Sequence, residues 1–200
     1  MPWKIEKWLS DVFPGKGEIY SAYHKLPSRE LAVVGGGVLD LALAELISIR
    51  VNNIPAEYES FLGLDGSANA PAGTFGARIQ LALLLGIITQ KDAKILRIIK
   101  NIRNKFSHQI NINFCDQSVL PLLKKLLLAW QDCAFVLAEK NDWDINRIKD
   151  GFSEIEQYLD TMPEAGEGLF LAVFTIYHAY LHRLSELICR IKNIVQWENG

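Results

Sequence analysis

Residues 89–108 read TQKDAKILRIIKNIRNKFSH, and the spacing of this stretch decides the fold class. Ile95, Ile99, Ile102 and Phe106 recur in steps of four, three and four, the period of one helix face. Thr89 stands where a side-chain oxygen can accept from free helix amides. Asp92, three residues on, makes a variant of the capping box. With Ile95 at zero and ~100° per residue, the apolar stripe centres near ~10° and Arg103 falls at ~80°, on the flank of the core face. Asn104 at ~180° and His108 at ~220° point away from the core, and their i, i+4 spacing lets them touch.

Outward from this helix the pattern stays helical. Trp3–Phe13 is a short amphipathic piece broken by Pro14-Gly15-Lys16-Gly17. Ser28 is expected to cap a long helix running to about Arg50, with Glu30 at its positive end. Gly35-Gly36-Gly37 lies inside that helix, where each glycine costs about 1 kcal/mol against alanine. Close contact with another helix is the expected compensation. A phosphate-binding loop is excluded, because no strand precedes the glycines and neither GxGxxG nor GKS/T spacing is present. Pro55–Leu62 reads as a short helix and Gly63–Gly73 as a loop. Thr74 is expected to cap a helix over Phe75–Leu85 that Gly86 closes. Further helices are expected over about Gln117–Ala138, with Pro121 near its start, over Ile145–Leu159 and over Glu167–Trp197. No run alternates with the period of two that a strand needs. The expected fold is an all-α helical bundle with extra C-terminal helices. Residues 1–27 would form a short helix and linker, 28–138 the main helical domain, and 139–200 a helical hairpin packed on the same core. Glu139–Asp144 is the internal boundary.

Composition narrows the function classes. Two hundred residues suit one domain, or one domain with an appendage, and 50% hydrophobic content supports a sizeable core. A net charge of −2 gives no global field for nucleic acid. The three cysteines, Cys115, Cys133 and Cys189, have no CxxC pairing, which argues against a disulfide framework or zinc ribbon and fits a reducing cytosol. Lys4, Glu6 and Lys7 interrupt any secretory signal. Leu31–Leu39 and Gly168–Leu181 are apolar but shorter than the ~20 residues that span a bilayer, and are read as buried core helices. A cytoplasmic protein without a membrane role is expected.

The chemistry-bearing stretch is Ile102–His108. Arg103 is a forked donor for phosphate oxygens, Asn104 a neutral orienting group, and His108 a base that titrates near neutral pH. Together they could cleave RNA without metal, using its own 2′-hydroxyl as nucleophile. A structural reading stands beside this one. Arg103 would pair with an acidic neighbour, Asn104 would face water, and His108 would supply the cation favoured at a helix C-terminus. Lys94, Arg97, Lys100, Arg103 and Lys105 form a basic cluster, read either as a solvated flank or as a surface for RNA or an acidic protein. Arg78 sits in an otherwise apolar helix and is expected to form a structural ion pair or to approach Arg103. His178, His182 and Glu186 have metal-pair spacing but lack a HExxH glutamate, so they are read as a polar stripe. No metal or cofactor is expected, and no Ser-His-Asp or GxSxG arrangement occurs.

Gly73-Thr74-Phe75-Gly76-Ala77-Arg78-Ile79, Leu85-Gly86-Ile87-Ile88, Ile99 and Ile102-Arg103-Asn104-Lys105-Phe106-Ser107-His108 together resemble the mannitol operon repressor family. The resemblance covers roughly Ser28–Asp116. Residues 1–27 and about 140–200 carry no motif of that family, and Gly35–Gly37 is atypical of it. The family is all-helical, is named for repression of mannitol utilisation, and is similar to the broader HEPN group of helical domains. The HEPN hallmark is an arginine, a polar residue and a histidine, which here would be Arg103, Asn104 and His108. In catalytic HEPN members this motif, paired across a dimer, cuts RNA, whereas many others are inactive binding modules.

These readings give two expectations. One is a non-enzymatic regulator, a homodimer acting through protein contacts, with Arg78, Lys100 and Lys105 as binding residues. The other is a metal-independent endoribonuclease with Arg103, Asn104 and His108 as its catalytic set and RNA as its partner. Sequence-specific DNA binding is disfavoured, because no basic recognition helix or clear helix-turn-helix is present.

Overall fold

The structure, a computed structural model, describes residues 27–51, 55–67, 69–140 and 144–161, together with Val173, Ile176, Arg183, Leu184 and Leu187. The expected helices over Trp3–Phe13 and most of Glu167–Trp197 lie outside the described residues, as do Cys189, His178, His182 and Glu186. The rest is an all-α bundle, with no strand among the described residues. Its helices are α1 (Ser28–Arg50), α2 (Pro55–Leu62), α3 (Phe75–Leu84), α4 (Gln90–His108), α5 (Leu120–Lys140) and α6 (Ile145–Thr161).

α4 is the organising element. Its stripe of Ile95, Ile99, Ile102 and Phe106 is fully buried, as the spacing predicts. Four large side chains fully withdrawn from water stabilise the fold by about 1.5–3 kcal/mol each before the entropy of ordering is counted. The stripe faces α3, α5 and the first part of α1, so α4 is packed on several sides. Phe106 meets Phe114 edge to face at 5.1 Å between ring centroids, which holds the chain against the helix just after it ends.

The start of α4 is fixed by a complete capping box. Thr89 Oγ1 accepts from the Asp92 amide at 3.2 Å, and Asp92 Oδ2 accepts from the Thr89 amide at 3.0 Å. Arg183 adds a bond from Nε to Asp92 Oδ1 at 2.8 Å, which ties the C-terminal part of the chain to this helix start. At the other end of α4, Arg29 donates from Nη1 to the carbonyls of Gln109 and Ile110, at 3.0 and 3.2 Å. The beginning of α1 is thus pinned to the end of α4.

α1 departs from expectation in two ways. Ser28 does not cap it. Pro27 holds the cap position with no side-chain hydrogen bond, and Ser28 is already helical. Leu31–Gly35 then forms a π-helical stretch before α-helix resumes at Gly36. The helix is also longer than its apolar centre. At 23 residues it is long and apolar enough to cross a membrane, yet most of its apolar stretch is buried inside the bundle. Leu39, Leu43, Leu46 and Ile47 are all withdrawn from solvent, as in a core helix.

Gly36 explains part of the glycine run. A Cβ there would lie 3.0 Å from Cβ and Cδ of Arg103, so the missing side chain is what lets α1 and α4 approach. Gly37 has no such neighbour within 4 Å. Thr74 caps α3 as expected, its Oγ1 accepting from the Ala77 amide. Gly86, at φ 67°, ends that helix in the left-handed conformation that glycine adopts without strain. α5 begins at Leu120, with Pro121 in its first turn, and α6 packs along it through Phe135 and Phe152.

Candidate functional site

Two charges of opposite sign sit in the apolar stretches of two helices, Asp40 in α1 and Arg78 in α3, and they meet. Arg78 Nη1 donates to Asp40 Oδ1 at 2.7 Å. Its remaining donors go to the fold: Nε to the Ala72 carbonyl at 3.1 Å, and Nη2 to the Leu62 carbonyl. Arg78 is 5% exposed and Asp40 8%, so this pair is desolvated and hydrogen-bonded on both sides. The other carboxylate oxygen, Oδ2, accepts from Arg103 Nη1 at 3.2 Å. Both readings of Arg78 therefore hold at once, since it forms a structural ion pair and reaches Arg103 through the shared carboxylate. Burial raises the Asp40 carboxyl above its ordinary 3.8, against the pull of Arg78 and then of Arg103.

Above this triad an open cleft of about 420 Å³ lies between the start of α3 and one flank of α4. Asp40 and Arg103 reach it from below, Lys100 and Asn104 line it from α4, and Gly73 to Gly76 supply its other wall. Arg103 keeps 30% of its side chain exposed. Among the described residues its Nε and Nη2 have no partner, and Lys100 and Asn104 have no polar partner. The Lys100 ammonium lies 3.6 Å from where a Cβ on Gly76 would be, so a positive charge ends beside the first turn of α3.

The predicted site residues are thus divided. Arg103, Asn104 and Lys100 share the cleft, and Arg78 braces Asp40 beneath it. Lys105 and His108 do not line it. Lys105 lies close enough to Asp116 to help lower that carboxyl, after the hydrogen bonds from Ser118. His108 is the last residue of α4 and is exposed, as the helical wheel predicts. The nearby C-terminal carbonyls at Gln109 and Ile110 are taken by Arg29 rather than by His108. The basic cluster is likewise split, because Lys94 and Arg97 border a separate groove between α4 and α5 with Lys125 and Leu128.

Asp40 is the residue that sequence reasoning did not assign. Its signal was present, an acid and an arginine each in the apolar stretch of a helix, but nothing local says that Asp40, rather than Glu45, is the one that pairs with Arg78. No group of His, Cys, Asp and Glu suited to a metal ion occurs among the described residues. Compared with protein-family models, curated proteins and solved structures, the chain matches none.

Proposed function

We propose that this chain is a mannitol-repressor-like helical regulator, a homodimer that acts through protein contacts rather than by reading DNA. The observation that supports it best is the commitment of Arg103 to Asp40 while His108 stands outside the cleft. Within one chain, the histidine of the motif does not line the cleft that its arginine lines. A guanidinium held by a buried carboxylate is a bracing group first, which suits an inactive relative of the HEPN group. The proposal includes a cytoplasmic location, in keeping with three cysteines that show no CxxC pairing. Sedimentation velocity on the purified chain is expected to show a dimer, and RNA incubated with it in EDTA is expected to stay intact. A chain that is monomeric and captures no partner defeats the regulator reading.

A second reading has its own support. Asn104 and His108 are both exposed one turn apart on α4, and Arg103 retains unused donors. Across a twofold axis, two such helix ends would assemble a ribonuclease site. There Arg103 would hold a phosphate oxygen and His108 would take the 2′-hydroxyl proton. The 2′-oxygen would then attack phosphorus to form a 2′,3′-cyclic phosphate, and the 5′-oxygen would leave as a hydroxyl on taking a proton from water. Cleavage in EDTA by the wild type that His108→Ala abolishes establishes this reading, and equal cleavage by both proteins, or none by either, removes it.

A further inference from the structure

The cleft gathers positive ends. The Lys100 ammonium sits beside the first turn of α3, where unpaired amides already give a positive pole, an arrangement that is unfavourable by itself. The Arg103 guanidinium opens onto the same space with donors to spare. The one carboxylate at hand, Asp40, is already divided between Arg78 and Arg103 and leaves Lys100 unbalanced. An anion in the cleft turns this repulsion into attraction, because a cation, a forked donor set and a helix start then face one negative group. Thr74 and Asn104 add neutral donors on opposite walls. Gly76 keeps the space in front of Lys100 open, since a side chain there would come within ordinary contact of the ammonium.

We propose that this cleft binds a terminal phosphate group, with Lys100 and Arg103 as its charge partners. A tetrahedral dianion suits the set better than a carboxylate, because its oxygens can face the lysine, the arginine and the α3 start from different sides. A cleft of about 420 Å³ holds a small phosphorylated molecule, within the range usual for small-molecule sites. The inference concerns one chain alone and holds whether or not the chain dimerises. Its failure would leave the regulator reading to its own test.

Titration calorimetry on the full chain at low salt tests it, with glycerol 3-phosphate in one arm and a short 5′-phosphorylated RNA in the other. Glycerol and the unphosphorylated RNA serve as controls. Saturable binding is expected in at least one phosphate arm, and the arm that binds identifies the source of the phosphate. Lys100→Ala is expected to weaken that binding by at least about tenfold, the loss of one charge-assisted contact. Gly76→Ala is also expected to weaken it while leaving the circular dichroism spectrum unchanged. Lys94→Ala, on the separate groove, is expected to leave affinity unchanged. No binding in either phosphate arm, equal binding of the controls, or binding that neither Lys100→Ala nor Gly76→Ala alters overturns the proposal.

Discussion

A methyl group placed on Gly36 would lie 3.0 Å from both Cβ and Cδ of Arg103, closer than nearly all real contacts of this kind. Arg103 Cβ is fixed to the α4 backbone and cannot swing aside, so the helices themselves would have to part. Gly36→Ala is therefore expected to destabilise the fold by about 1–2 kcal/mol, overpacking outweighing the better helix propensity of alanine. Gly37→Ala, one residue on and with no neighbour within 4 Å, is expected to stabilise it by about 0.5–1 kcal/mol. Urea unfolding of the two variants should move the midpoint in opposite directions.

Asp40→Ala leaves the Arg78 guanidinium buried without its carboxylate. A loss of about 3–5 kcal/mol is expected, the usual penalty for orphaning a buried charge. Arg103→Ala keeps the Asp40–Arg78 pair and removes a partly exposed partner, so a loss of about 1 kcal/mol or less is expected. Guanidinium chloride unfolding should rank the two variants in that order, and the reverse order would refute the view that Arg78 is the structural member of the triad.

Acid stability should carry the mark of Asp92. Burial acts to raise this carboxyl, but the Arg183 and Thr89 hydrogen bonds win, and its pKa is lowered from the ordinary 3.8. The unfolded chain therefore takes up the proton first as pH falls. The stability from ionised Asp92 is present in full above pH 3.8 and is lost as pH drops below that value through the lowered pKa. Asp92→Asn is expected to be less stable than the wild type at neutral pH, with the gap closing in that acid range. A constant gap across the range would count against the assignment.

The cation at the end of α4 can be identified by substitution. Arg29→Ala removes two hydrogen bonds to carbonyls beyond the helix and is expected to cost about 1 kcal/mol. His108→Ala, at an exposed position, is expected to change stability by no more than about 0.5 kcal/mol. Thermal unfolding of both variants distinguishes them.

What was legible in the sequence was what is local. The capping box of Thr89 and Asp92, the stripe of Ile95, Ile99, Ile102 and Phe106, and the outward turn of Asn104 and His108 all follow from spacing within one helix. The glycine run was read as a close approach, and Gly36 makes one. What escaped was long in range. Asp40 finds Arg78 across 38 positions and Arg103 across 63, and Arg183 finds Asp92 across 91. No periodicity carries such pairings, because they depend on how helices stack and not on how each one forms. Ser28 misled for a related reason. Its type suits a cap, but Pro27 takes the extended conformation that a cap position needs, and the helix starts one residue earlier than expected, at Ser28 itself.

The π-helical stretch at Leu31–Gly35 preserves the phase of all that follows it in α1. A π turn holds one residue more than an α turn, so this stretch takes in an extra residue without turning the helix beyond it. Asp40 keeps its line to Arg78 and Arg103, and the space that Gly36 leaves still faces Arg103. Loss of one residue within Leu31–Gly35 would return the stretch to ordinary α-helix with the same phase beyond it, whereas loss of one between Gly37 and Asp40 would turn Asp40 by about 100° relative to the anchored start. Descendants of this sequence should therefore survive a single-codon gap in the π turn, while the same gap a few codons on should be purged as thoroughly as the loss of Asp40 itself.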